Sequence, residues 1–130
     1  MKPSKSQLPR PTPAELEILN VLWERGPSSV REVQEHLVKS RAAGYTTVLK
    51  LLQIMAGKGL VVRDASERSH VYRAAIARER TQRQLVTDLV ERAFGGSASQ
   101  LIMQALATRR ASPQEMEEIR RLLERTGEKE

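Results

Sequence analysis

No cysteine occurs among the 130 residues, and that absence excludes a disulfide framework, thiolate zinc sites, iron–sulfur clusters and cysteine nucleophiles. Aromatic residues are nearly as scarce. Trp23, Tyr45, Tyr72 and Phe94 are the whole set, few for the stacking platforms with which proteins hold single-stranded nucleic acid. The two histidines, His36 and His70, stand in no Ser-His-Asp or metal-ligand spacing. Glycines at 57 and 59, and at 95 and 96, do not make a nucleotide phosphate loop. Glu115, Glu117 and Glu118 fall at a helix start, where carboxylates complement the dipole rather than form an acid–base pair. The expectation is therefore no enzyme, no metal site and no cofactor. No apolar run approaches the ~18 residues needed to span a bilayer. Met1 to Pro13 carries Lys2, Lys5 and Arg10 without the apolar stretch of a secretory signal. A cytoplasmic address with no membrane partner is expected.

What the chain does have is positive charge, unevenly spread. Lys and Arg number 22 against 16 Asp and Glu, a net of +6, which favours a polyanionic partner. Residues 1–75 hold 12 basic and 7 acidic side chains, whereas 76–130 hold 10 and 9. The stretch Lys39 to Arg73 alone carries seven bases against Asp64 and Glu67, while the last twenty residues are net acidic. Charge asymmetry of this kind points to an anion-binding segment within 39–73.

Hydrophobic periodicity and punctuation divide the chain. Residues 1–12, with three prolines, read as a flexible lead-in. Thr12, Pro13 and Glu15 form a capping box that opens a first helix with the stripe Leu16, Leu19 and Trp23, widened by Ile18 and Leu22 and stopped by Gly26-Pro27. Ser28 or Ser29 starts a second helix with Val30, Val33 and Leu37, and a loop follows through Ser40 to Gly44. A third helix is expected from Tyr45 to Lys58, with Val48, Leu51, Leu52 and Met55 on one face and Gly59 at its end. Leu60–Arg63 and Ser69–Arg73 read as two strands of a hairpin. Three more amphipathic helices are expected at about Ile76–Phe94, Ala98–Thr108 and from Ser112-Pro113 onward. Residues 13–75 thus form one small domain and 76–130 a helical region. The stripes of that region include Leu85, Leu89, Phe94, Leu101, Ile102, Leu106, Ile119 and Leu122. They need an apolar partner: a second copy of the same segment is the expected one, and folding back on the first domain as extra core is the alternative.

The third helix carries Thr46, Lys50, Gln53 and Gly57 opposite its apolar face. A hydroxyl, an ammonium and a carboxamide a turn apart have the chemistry of a major-groove surface. Tyr45, Thr46, Thr47, Lys50 and Gln53 are the candidates for base edges and nearby backbone, and Lys58, Arg63 and Arg68 the candidates for phosphate. Two other readings use the same basic patch: a helical protein–protein adaptor, and a non-specific nucleic-acid-binding protein.

The run Gly44-Tyr45-Thr46-Thr47-Val48-Leu49-Lys50-Leu51-Leu52, followed by Lys58-Gly59-Leu60-Val61 and Val71-Tyr72, resembles the penicillinase-repressor family of bacterial winged-helix regulators. So does the opening Glu15-Leu16-Glu17-Ile18-Leu19 through Leu22-Trp23, and the likeness extends in order from about Leu8 to Arg125. The resemblance implies a mainly α fold with a small β-hairpin wing, a winged helix-turn-helix followed by a C-terminal helical dimerisation region. It further implies a homodimer that binds a palindromic double-stranded operator and represses transcription, with Tyr45 to Lys58 as its recognition helix. Family members that control β-lactam resistance are inactivated by a sensor-linked protease at an Asn-Phe bond. The position that aligns here is Gln104-Ala105, which speaks against that control. Copper-responsive members carry a cysteine cluster, which this chain lacks.

Overall fold

Two capping boxes of the same design start the first two helices. In the computed structural model, which describes residues 10–37, 43–66 and 70–128, the Thr12 hydroxyl accepts the Glu15 N–H at 3.2 Å and the Glu15 carboxylate accepts the Thr12 N–H at 2.9 Å. Pro13 occupies the first position, and helix α1 runs Pro13–Arg25. Ser29 and Glu32 repeat the exchange at 3.2 and 2.9 Å and open α2, Val30–His36. Each cap satisfies backbone donors that a helix leaves orphaned and contributes roughly 1 kcal/mol. Between the helices Gly26 adopts φ +91° and ends α1, a backbone conformation that a side chain would strain.

Helix α3 spans Tyr45–Lys58 and stops at Gly59, which sits in the left-handed region with φ 83°. The Leu60 N–H turns back to the Met55 carbonyl at 2.9 Å, a wrapped helix end. The chain then enters a hairpin of β2 (Val61–Asp64) and β3 (Val71–Ala74). A two-residue strand, β1 (Ser28–Ser29), pairs with the far side of β3, so the antiparallel sheet has the order β1-β3-β2. Ser28 lies opposite Tyr72, and Tyr72 lies opposite Arg63. The order of elements, three helices and then a hairpin, is that of a winged helix-turn-helix.

Most of the expected helical stripes enter the core, with Trp23, Leu37 and Leu51 partly buried against it, Leu16 outside it and Val21 added to it. Ile18, Leu19 and Leu22 of α1 meet Val30 and Val33 of α2, Val48, Leu52 and Met55 of α3, and Leu60, Val61 and Tyr72. Burying side chains of this size contributes about 1.5–3 kcal/mol each against solvent exposure. Three local expectations shift. Leu37, counted with the second helix, is an extended cap beyond it. Ser28 is not a helix start but a buried strand residue whose hydroxyl donates to the Gly26 carbonyl at 2.8 Å. The hairpin strands begin one and two residues later than expected and end one residue later, because pairing with β1 and with each other fixes their register.

Helix α4, Arg78–Ala93, begins against α1. The Trp23 indole N–H donates to the Ile76 carbonyl at 3.0 Å. The Arg78 guanidinium lies 5.8 Å from the Trp23 ring centre and 3.8 Å from the Glu24 carboxylate. Thr81 is buried and caps back to the Ala77 carbonyl at 3.0 Å. The chain divides into two units, one up to Gln84 and one from Leu85 onward.

In the second unit, α4 ends at Gly95-Gly96, both with positive φ, and Gly96 N–H returns to the Val90 carbonyl at 2.8 Å. Ser97 caps α5 (Ala98–Thr108), and Ser112 forms a third capping box with Glu115 at 3.1 and 2.8 Å to open α6 (Pro113–Glu128). None of residues 85–127 is fully buried. Val86, Leu89, Ile102, Met103, Met116, Leu122 and Leu123 are all at least 40% exposed. Within a single chain these helices leave a part of their apolar stripes in water.

Candidate nucleic-acid interface

Strand alternation decides which wing residues face α3. Side chains two apart on a strand share a face, and residues paired across strands share it too. Tyr72 is buried toward the core. Its cross-strand partner Arg63, and His70 two residues before it, therefore lean to that same side. Val62, Asp64 and Arg73 take the other. There the Asp64 carboxylate accepts the Ser66 N–H at 2.9 Å. Hydrogen bonds from Ser66, with a smaller contribution from Arg73, hold Asp64 below the usual carboxylate range.

On α3, Tyr45, Leu49 and Gln53 recur every four residues and form one stripe. That stripe and the inner face of the wing line an open groove of about 640 Å³ together with Ser29, Val30 and Arg31 at the start of α2. Tyr72 and Leu49 supply apolar floor. Tyr45, Gln53, Arg31, Arg63 and His70 supply its polar lining, and among the described residues no carboxylate joins them.

The sequence candidates fall into four places. Tyr45, Gln53 and Arg63 come together around the groove. Thr46, Thr47 and Lys50 are exposed on α3 but do not line it. The Lys58 ammonium lies on the Glu15 carboxylate, 2.9 and 3.0 Å from its two oxygens. Arg68 lies outside the described residues. Glu15 itself is 2% exposed. Burial pushes its carboxyl up, but the Thr12 N–H and the Lys58 ammonium outweigh that and hold it below the ordinary value of 4.5.

Sequence reasoning missed Arg31. The signal available was its position: a cation in the first turn of a helix, where the dipole disfavours it. It also missed that Glu15 serves Lys58 in addition to its own helix, because a contact across 43 residues has no local pattern.

In the helical region, Leu89, Ile102 and Leu122 are exposed and Leu85, Phe94, Leu101, Leu106 and Ile119 half-buried. Gln104 and Ala105 are exposed on α5, and the Gln104 carbonyl accepts the Thr108 hydroxyl at 2.9 Å. Among the described residues no group of three or more acidic or histidine side chains is placed to hold a metal ion. No helix among them is long and apolar enough to cross a membrane.

The penicillinase-repressor family model matches residues 11–125. The chain is 33% identical over 84 residues to a transcriptional regulator BlaI of Mycobacterium tuberculosis, covering 64% of this chain and 61% of that regulator. The match thus spans less than two thirds of the mycobacterial protein. A penicillinase repressor of Staphylococcus aureus is 21% identical over 110 residues, 85% of this chain and 87% of that one. Among solved structures, the monomeric form of Bacillus licheniformis BlaI in complex with the blaP half-operator is similar at 26% identity, with a TM-score of 0.49. It covers 56% of this chain and 89% of that one.

Proposed function

The chain belongs to the penicillinase-repressor family, and from that membership we propose that it is a sequence-specific DNA-binding repressor of transcription, with no catalytic step. The observation that carries the reading is the groove wall shared by Tyr45 and Gln53 of α3 and Arg63 of the wing. Base-reading chemistry and a phosphate-binding cation border one open surface that no carboxylate of the described residues lines. In this reading α3 enters the major groove, with Thr46, Thr47 and Lys50 on its exposed side. Lys50 and Gln53 suit purine edges, and threonine methyls suit the thymine methyl.

The protein acts as a homodimer in the cytoplasm on a palindrome, each protomer reading one half-site, with half-sites about 34 Å apart or a multiple of it. Support comes from the large apolar side chains that α4, α5 and α6 leave exposed, which burial against a second copy would take out of water. Repression follows from occupying promoter DNA. Control by a protease at Gln104-Ala105 is not part of this proposal, since the Asn-Phe pair is absent.

Selection of random duplex DNA by the purified chain tests the reading. Enrichment of one palindrome is the expected result. A pool that stays random after repeated rounds overturns it.

A further inference from the structure

We propose that Arg31 is a second DNA-backbone ligand, which with Arg63 flanks one phosphodiester strand in the groove between α2, α3 and the wing; this rests on the DNA-binding reading above. Three independent features of the structure converge on it.

The first is position. Arg31 is the second residue of α2, where the positive end of the helix disfavours a cation. The neighbouring Ser29–Glu32 box already gives the helix its favourable carboxylate, so Arg31 contributes nothing to starting α2. A residue that breaks a local rule without a local gain points to a role elsewhere.

The second is pairing. Arg25 is bonded to Glu32, Lys58 to Glu15 and Arg78 to Glu24. Among the described residues no carboxylate pairs with Arg31 or Arg63. Lys50, Arg80 and Arg83 are exposed without a carboxylate as well, but of the cations in this unit that stay available only Arg31 and Arg63 line the groove.

The third is continuity. Arg31 and Arg63 line the same groove as Tyr45 and Gln53. An occupant bounded by both arginines and running on to those α3 side chains is extended and anionic, with bases at one edge. A nucleic-acid strand has that form. The planar guanidinium fork suits phosphate oxygens.

The test measures affinity for the selected palindrome and for a scrambled duplex across a salt series, in the wild-type chain and in Arg31→Ala, Arg31→Lys and Arg63→Ala. Arg31→Ala is expected to weaken both duplexes about tenfold near 0.1 M salt and to flatten the salt slope by about one unit. Arg63→Ala is expected to match it, and Arg31→Lys to keep the wild-type slope. Arg31→Ala with wild-type affinity and slope overturns the proposal. So does a loss confined to the palindrome, which marks a base contact instead. If the wild-type chain itself binds no duplex, the repressor reading fails first and the Arg31 proposal with it. An unchanged thermal melt of Arg31→Ala separates lost contact from lost fold.

Discussion

Lys58, at the end of α3, places its ammonium 2.9 and 3.0 Å from the two carboxylate oxygens of Glu15, in the first turn of α1. Glu15 is buried, and the same carboxylate accepts the Thr12 N–H. One side chain thus starts α1, buries a charge and clamps the far end of α3. The helix that presents Tyr45, Lys50 and Gln53 is held at its C-terminal end by this pair and along its length by Val48, Leu52 and Met55.

Removing Lys58 therefore acts on the fold. Lys58→Ala leaves the Glu15 carboxylate without its cation and is expected to lower the unfolding free energy by about 1–3 kcal/mol in urea titration. The salt slope of DNA binding should stay as in the wild type. A slope flattened by about one unit at unchanged stability marks Lys58 as a phosphate contact instead.

Acid should weaken the same joint. Glu15 has a folded-state value held below its ordinary 4.5, so its contribution is present in full above the unfolded value and is lost as pH falls through the folded one. Glu32 and Glu115, lowered first by the backbone N–H groups of Ser29 and Ser112, act in the same direction. Stability is expected to drop below about pH 4.5, and Glu15→Gln should reduce the steepness of that drop. An equally steep acid transition in Glu15→Gln removes Glu15 from the account.

Much of this was legible beforehand, for a physical reason. Thr12-Pro13-Glu15 and Gly59 are local signals whose chemistry works within one turn, and α1 and α3 fall at the bounds these residues set. Helical spacing put Gln53 on a face with Thr46 and Lys50, whereas the groove takes it together with Tyr45 and Leu49. The strand Ser28–Ser29 was not legible, since two serines carry no alternation and become a strand only by pairing with β3. Arg31 joins the groove through tertiary placement of α2 beside the wing, and the Lys58–Glu15 pair through α3 meeting α1. No window of neighbouring residues contains either fact.

Trp23 fastens the start of α4. Trp23→Phe keeps a ring in place but loses the N–H to the Ile76 carbonyl and weakens the cation–π contact with Arg78. A destabilisation of about 1 kcal/mol is expected, read as a lower thermal midpoint. A midpoint at the wild-type value shows that the hydrogen bond contributes nothing net.

Leu89 tests the proposed dimer. It is 49% exposed on α4, and Leu89→Asp puts a charge on the apolar stripe. Sedimentation equilibrium should shift toward monomer, and operator affinity should fall with it. An intact dimer places the interface on other residues.

The central claim is that α3 reads base edges while the groove cations hold the backbone. It is tested most directly by the ratio of affinities for the selected palindrome and a scrambled duplex of the same length, measured across a salt series. The account predicts a ratio of about 10³ or more, with both affinities falling as salt rises. A ratio near one at every salt concentration, with binding that merely fades, contradicts it.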